Sequence, residues 1–352
     1  MHGLRLLVPA NDKWAYMCIV QNALYLQKID VMLPYPGILP YGPAPAWCFP
    51  VFEFSMYLLF VLCLGYAVKQ GPRDVLYLLG GLAFGLVLEY MEVVLKSYKY
   101  GQFTIMLGEA PKNIPFCIGI GWGIIMYTAR LFSDRLGLTL LACAALDTLL
   151  AVNIDLSMDT VAYRLHMWHW DWTGTHLNPL TAQWFGIPYG NFIGWQTVVF
   201  CYSVFSRLFE QKIMKRKTGV FKFTLIALLT LLCSLFVLYT TQTYLFPFLQ
   251  KRFGILGVHR FIGITVILIL LIWAGWHKRS ISANKIPGVA WLVPGWFHFS
   301  FFTCFFIVGF YAENKWMTIA ASINLLIGIA IHIAPVSFKA KTSRETKVLS
   351  SD

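Results

Sequence analysis

The segment Leu146–Trp195 reads LDTLLAVNIDLSMDTVAYRLHMWHWDWTGTHLNPLTAQWFGIPYGNFIGW and gathers residues that are scarce elsewhere in the chain. It contains four of the 16 acidic residues, three of the eight histidines and five of the 13 tryptophans. On both sides of it, apolar stretches of about 20 residues follow one another, a length that spans a bilayer as a helix. Acids kept in such surroundings are costly and mark functional sites. We therefore expect the chemistry of this protein to lie in this segment.

The composition predicts a membrane protein. The 352 residues are 58% hydrophobic and 12% charged, with a mean hydropathy of +0.64, whereas a soluble domain carries about 25% charged residues. Backbone polar groups inside lipid must be satisfied within the segment itself, which favours helices. The sequence predicts an all-α, polytopic integral membrane bundle of about nine transmembrane helices (roughly seven to ten) at 48–68, 74–95, 114–132, 136–156, 190–208, 221–243, 257–277, 289–311 and 316–336.

The apolar pattern divides the chain into an N-terminal interfacial segment with a Pro-rich loop (1–46), a catalytic helical core (47–210), C-terminal transmembrane helices (211–338) and a polar, disordered tail (339–352). Most of the 28 Lys and Arg residues lie on the side of the C-terminus. The positive-inside rule then predicts a cell (inner) membrane protein with a cytoplasmic C-terminus. The formal charge of +12 is explained by this topology and by anionic lipids, so no nucleic-acid partner is expected.

Two loops are predicted to share one face of the membrane. The parity of the spans puts the 96–113 and 157–189 loops on the same side, and both are rich in Tyr, Trp, Gly and Pro. We expect them to build one pocket together. Two glycine runs inside spans predict close packing between helices: Gly80, Gly81 and Gly85, and Gly119, Gly121 and Gly123.

Asp155 and Asp159 are the leading candidate acids. They are four residues apart and share one helix face if the span continues through them. Two close carboxylates repel in a low dielectric, so one tends to keep its proton, which suits a general acid. The alternative is structural, in which these acids cap a helix end or pair with Arg164.

Three further acids are candidates. Asp147 lies deeper in the same span, and an acid at that depth is a functional candidate by default. Glu89 and Glu92 are one turn apart near the end of the second span, and Glu89 has no local cationic partner. For Glu92 a surface ion pair with Lys96, four residues on, is the structural alternative.

The aromatic and histidine residues leave two questions open. Trp168, Trp170 and Trp172 form either an interfacial belt or a cage whose π faces stabilise a cation. His166, His169 and His176 near Asp171 have a spacing that a metal ion can use, but membrane di-iron enzymes need more histidines in repeated clusters. We expect no metal and no cofactor.

The central stretch resembles the bacterial and archaeal carotenoid-biosynthesis membrane proteins that include the carotenoid hydratases of the bisanhydrobacterioruberin and γ-carotene type. The resemblance covers about residues 75–210. An upstream block supplies Glu92, Tyr98, Tyr100, Gly101, Pro115, Trp122 and Tyr127, and the central pattern supplies Asp155, Asp159, Trp168, Trp170, Gly186, Ile187, Pro188, Asn191, Phe192, Gly194 and Trp195.

This resemblance implies the acid-catalysed addition of water to an isolated alkene of a lipid-soluble isoprenoid, a hydro-lyase reaction without a redox cofactor. Asp155 or Asp159 is expected to protonate the alkene while the other orients water. Trp168, Trp170 and Trp195 are expected to shelter the carbocation, and Asn191 and Tyr100 to hold the water. Membrane lipids and other enzymes of the pathway are the expected partners.

Two other functions fit the same sequence. A membrane terpenoid cyclase or isomerase would use the same acid and aromatic residues but lose a proton instead of gaining water. A transporter or assembly protein would use the acids without product chemistry. Transporters often show paired halves with interrupted helices, and the sequence shows no such pair.

Overall fold

A bundle of membrane-spanning helices forms the structure, as the sequence predicts. The computed structural model describes residues 44–95, 97–170, 172, 177–213, 220–276 and 286–349. Within these residues nine helical segments are long and apolar enough to cross a membrane, so the chain is a multi-pass membrane protein. The predicted interfacial segment, 1–46, lies almost entirely outside the described residues.

The helices follow one another with short connections, except where two small β-ribbons interrupt the order. The strands are β1 (Tyr98–Tyr100), β2 (Met106–Leu107), β3 (Ile114–Pro115) and β4 (Trp168–Trp170). The helices are α1 (Cys48–Gln70), α2 (Pro72–Val94), α3 (Phe116–Ser133), α4 (Leu140–Arg164), α5 (Tyr189–Ile213), α6 (Val220–Thr240), α7 (Phe246–Phe253), α8 (Gly257–Trp276), α9 (Val289–Ile307) and α10 (Lys315–Leu349). A π-helical turn, Thr241–Leu245, joins α6 to α7 within one span.

Helices α3 and α4 form the centre of the bundle. Almost all of α3 is buried, and α4 packs against α3, α5, α8, α9 and α10. The outer helices α6 and α8 expose most of their apolar side chains, as expected for surfaces that face lipid. Residues on α4 are therefore shielded from lipid on several sides, which makes this helix suited to carrying polar groups.

The glycine runs bring α2 and α3 together, as predicted. A Cβ on Gly81 would lie 3.2 Å from the Gly123 Cα, and a Cβ on Gly123 would lie 3.0 Å from the Leu78 carbonyl oxygen. A Cβ on Gly85 would lie 2.5 Å from the Trp122 Cβ. The absent side chains therefore set the close approach of the two helices.

The predicted meeting of the two aromatic loops is confirmed by backbone pairing. Strand β1 pairs antiparallel with β4, with Tyr98 opposite Trp170 and Tyr100 opposite Trp168. The pairing continues where the Gly101 amide donates to the Met167 carbonyl at 2.9 Å. Because side chains alternate across a strand, the two tyrosines and the two tryptophans point to one face of this ribbon.

Two predicted boundaries are wrong. Helix α4 ends at Arg164 rather than near residue 156, so Asp155 and Asp159 lie inside it. Helix α10 continues to Leu349, through most of the tail predicted to be disordered. The tail contains Ala, Lys, Arg and Glu, which favour helix even where no apolar stretch remains.

We expect Gly85→Ala to destabilise the protein by about 1–3 kcal/mol, because the new methyl group overpacks the α2–α3 contact at Trp122. Gly65→Ala is the matched control. A Cβ at Gly65 meets no atom within 4 Å, and Ala is more favourable than Gly inside a helix by about 0.5–1 kcal/mol. Thermal unfolding in detergent should separate the two variants. Equal melting temperatures would contradict the packing described here.

Candidate active site

A cavity of about 550 Å³ lies beneath the β1–β4 ribbon. Its acidic lining comes from α2 and α4, and its aromatic lining from the ribbon, α1, α3, α5 and α9. Most of the residues predicted for the site line it directly: Glu89, Glu92, Tyr100, Asp159, Trp168, Trp170, Asn191 and Trp195. The structure therefore joins the upstream and central parts of the sequence pattern in one chamber.

Asp155 and Asp159 form a buried pair that shares a single amide. Asn191 Nδ2 donates to Asp155 Oδ2 at 3.0 Å and to Asp159 Oδ2 at 2.6 Å. Two carboxylates held this close to one amide repel each other in a low dielectric, which favours a proton on one of them. Trp168 Nε1 donates to Asp159 Oδ1 at 3.1 Å. Asp159 lines the cavity, while Asp155 lies behind it and is fully buried.

The structural alternative for this pair is wrong, because Arg164 has other partners. Its guanidinium binds Glu313, with Nη2 2.5 Å from Oε1 and Nε 2.7 Å from Oε2. It also donates to the carbonyl oxygens of Thr160, Phe185 and Leu180. The aspartates are inside α4 and do not cap its end.

Glu89 is a second buried acid in the same cavity, and three donors converge on it. Trp122 Nε1 donates to Oε1 at 2.6 Å, Tyr100 Oη donates to Oε2 at 2.5 Å, and Tyr98 Oη donates to the same Oε2. The burial of Tyr98 and Tyr100, together with the adjacent Glu89 carboxylate, holds the pKa of each phenol well above its usual range. Both phenols therefore stay protonated and act as hydrogen-bond donors at any physiological pH.

The tryptophans of the cavity line its walls inside the protein and do not form an aromatic belt at the membrane surface. Trp168 and Trp170 are buried on β4. Trp122 stacks on Trp195, with ring centroids 3.8 Å apart and an interplanar angle of 17°. The stacking fixes the Trp122 indole that donates to Glu89. Aromatic faces arranged beside carboxylates form an environment that stabilises a positive charge.

Asp147 lies apart from this chamber. Its Oδ2 accepts from Arg207 Nη1 at 2.7 Å and from Ser203 Oγ at 2.7 Å. Arg207 also binds Asp134, at the start of the turn after α3. This ion-pair network joins α4 to α5 at the opposite end of the bundle from the β-ribbon, and Asp147 is not among the residues that line the cavity.

Glu92 lines the cavity, one turn beyond Glu89. The predicted partner, Lys96, lies outside the described residues, so the surface ion pair stays a prediction. The proposed metal ligands Asp171 and His176, and the side chain of His169, also lie outside them. Within the described part of the chain, no group of three His, Cys, Asp or Glu side chains is placed to hold a metal ion.

The sequence did not single out several residues of the cavity as site residues. Tyr98 and Trp122 hold Glu89, and the Tyr-x-Tyr alternation at 98–100 was the signal, since it puts both rings on one strand face. Gln242 comes from the π-helical turn, and Leu238 and Phe297 come from α6 and α9. Helices beyond residue 220 thus complete the cavity, a role that the sequence left open.

Arg164 fastens the loop that crosses behind the acidic pair. Its bonds to Leu180 and Phe185 hold the loop between β4 and α5, and its bond to Glu313 ties that loop to the turn before α10. Trp184 Nε1 adds a bond to the Leu156 carbonyl oxygen at 2.9 Å. The loop leads directly into α5, which carries Asn191, so these contacts position the amide that bridges the aspartates.

The model of the carotenoid biosynthesis protein family matches residues 51–256, more than half of the chain. The chain therefore belongs to the carotenoid biosynthesis protein family, and its role lies in carotenoid metabolism. The matched range contains every residue named above as lining the cavity except Phe297. No curated protein matches the chain significantly, and no solved structure does so either.

We expect Arg164→Met to destabilise the protein by about 3–5 kcal/mol, because it leaves the largely buried Glu313 carboxylate without its partner. Arg252→Met removes an exposed arginine on α7 and is the control with little expected effect. Thermal unfolding of both variants in detergent tests this. Equal melting temperatures for the two variants would show that the buried ion pair does not anchor the loop.

Proposed function

We propose that the protein is a carotenoid hydratase, which adds water to an isolated alkene near one end of a lipid-soluble isoprenoid. The observation that carries the proposal is the Asp155–Asp159 pair bridged by Asn191 at the wall of an aromatic cavity. Membership of the carotenoid biosynthesis family supports the substrate class. The acid pair supports the reaction type.

The first step is the transfer of a proton to the alkene. The proton that Asp155 and Asp159 share gives the pair a neutral donor and a charged partner at the same place. Asp159 faces the cavity and is the donor to carbon. A new C–H bond forms from the π electrons of the alkene, and a tertiary carbocation remains on the neighbouring carbon.

The second step is the capture of this cation by water. The new C–O bond forms from an oxygen lone pair of the water, and the displaced proton returns to the Asp159 carboxylate, so the pair is restored. Trp168, Trp170 and Trp195 enclose the charge until capture, as π faces stabilise cations. Asn191 and Tyr100 are near enough to the acid to orient the water.

The shape of the cavity fits one end of a long polyene. Ligand pockets of about 300–1,000 Å³ enclose drug-sized molecules, and at about 550 Å³ the cavity takes the terminus of a carotenoid rather than all of it. The rest of the chain then lies among the helices and lipid. With the C-terminus proposed to be cytoplasmic, the cavity opens toward the other face of the cell membrane.

Expression in a host that accumulates acyclic and monocyclic carotenoids tests this function. We expect a new pigment heavier by one water, identified by liquid chromatography and mass spectrometry. Asp159→Asn should lower its yield by at least about 100-fold, the usual contribution of a general acid, and Asp155→Asn should act in the same direction. Asp74→Asn, on an acid at the opposite end of the bundle, should leave the yield unchanged.

Two results would contradict the hydratase. A new pigment with unchanged mass would show cyclisation or isomerisation by the same acids. A well-inserted wild-type protein that yields no new pigment would favour a transporter or assembly role. Immunodetection in membrane fractions confirms that each variant is inserted in equal amounts.

A further inference from the structure

We propose that Glu89 is the fixed counter-charge of the cavity, which stabilises a carbocation without exchanging a proton with the substrate. This inference rests on the hydratase function proposed above and gives a separate role to an acid that the reaction has not used. It gives two acids of one chamber separate roles, with Asp159 as the proton donor and Glu89 as an electrostatic group.

The first argument is the pattern of hydrogen bonds. All three of its contacts come from groups that donate: two phenols and one indole. A carboxylate is an acceptor only, and three donors that converge on it favour its charged form. By contrast, Asp155 and Asp159 are two adjacent carboxyl groups that share one amide donor, an arrangement that favours a proton on one of them.

The second argument is that Glu89 has no cationic partner among the described residues. Two acids of α4 and α5 pair with arginines: the buried Asp147 with Arg207, and the largely buried Glu210 with Arg130. Among the ion pairs of the described residues, none includes Glu89. A buried carboxylate without a cation is costly to keep, and this one borders a cavity that can receive a positive ligand.

A comparison with Glu53 shows how the surroundings of Glu89 differ from those of another buried acid. Glu53 is also buried and also outside these ion pairs, but its two oxygens accept from the backbone amides of Thr104 and Ile105 at 2.8 and 3.0 Å. Its role is to fasten the loop before β2, and it does not line the cavity. Glu53 also accepts from the Tyr57 hydroxyl at 2.7 Å, but Glu89 accepts from side chains alone among the bonds described and borders the cavity.

The third argument is preorganisation. Trp122 is held by its stack on Trp195, and the two phenols are held by the β1–β4 ribbon. Glu89 is therefore fixed before any ligand arrives, and a fixed charge in a low-dielectric site needs no reorganisation when positive charge develops. The chemical class of ligand that this site prefers is a cation carried on an apolar chain.

A stable analogue of the cation tests the inference directly. The probe is an N,N-dimethylamine on an unsaturated isoprenoid chain, protonated at neutral pH, whose nitrogen replaces the tertiary carbon. Its neutral comparison is the same molecule with carbon in place of nitrogen. Binding to the full-length protein in nanodiscs is followed by tryptophan fluorescence. We expect the wild type to prefer the ammonium probe by at least about tenfold.

The variants distinguish the effect of the Glu89 charge from the effect of the shape of the cavity and from the effect of the acid Asp159. Glu89→Gln should abolish the preference while the neutral probe still binds, and Glu89→Asp should restore part of it. Asp159→Asn should keep the preference although it stops turnover. Glu109→Gln removes an exposed carboxylate from the loop before β3 and should change neither affinity.

The role of Glu89 would be overturned if Glu89→Gln lost affinity for both probes equally. It would also be overturned if the wild type did not prefer the ammonium probe. Trimethylammonium without the chain, if it bound as tightly as the full probe, would also overturn it, since the site would then serve a small cation. A Glu89-dependent preference without any hydrated pigment in cells would leave this inference standing and reject the hydratase. Hydrated pigment in cells, without a Glu89-dependent preference for the ammonium probe, would reject this inference and leave the hydratase standing.

Discussion

The amide of Asn191 donates to Asp155 and Asp159 at once, and the arrangement of the bundle provides for this contact. Two acids four residues apart on a helix repel each other in a low dielectric unless a proton and a donor lie between them. Helix α4 supplies the acids, α5 supplies the amide, and the surrounding helices exclude lipid from both. The Asn191 amide gives each of the two carboxyl groups a donor, which helps to keep this polar cluster stable inside the bundle.

The same logic explains how the chain handles its other buried charges. At one end of the bundle, Arg207 neutralises Asp147, and near the other end Arg164 neutralises Glu313. These pairs hold helices and loops in place at the borders of α4. Between them lies the chamber lined by Glu89 and Asp159, which form none of the ion pairs found among the described residues.

The sequence predicted the class of fold and most of the chamber, because both depend on local patterns. Apolar stretches of membrane length gave nine spans, and helical spacing put Asp155 and Asp159 on one face. The partners of these residues could not be predicted in the same way. Arg164 looked like a neighbour for the aspartates, yet it binds Glu313, which is 149 residues away. The three donors to Glu89 also depend on tertiary contacts between α2, α3 and the β-ribbon.

The hydration of an alkene through a carbocation is the central claim, and isotope labelling of the product tests it most directly. Membranes that contain the protein and its carotenoid substrate are incubated in heavy-oxygen water and, separately, in deuterated water. The account predicts one labelled oxygen in the new hydroxyl group and one deuterium bound to the adjacent carbon, at a position that does not exchange. A product with deuterium but no added oxygen would contradict hydration, and a hydroxyl oxygen that does not come from water would contradict the acid mechanism.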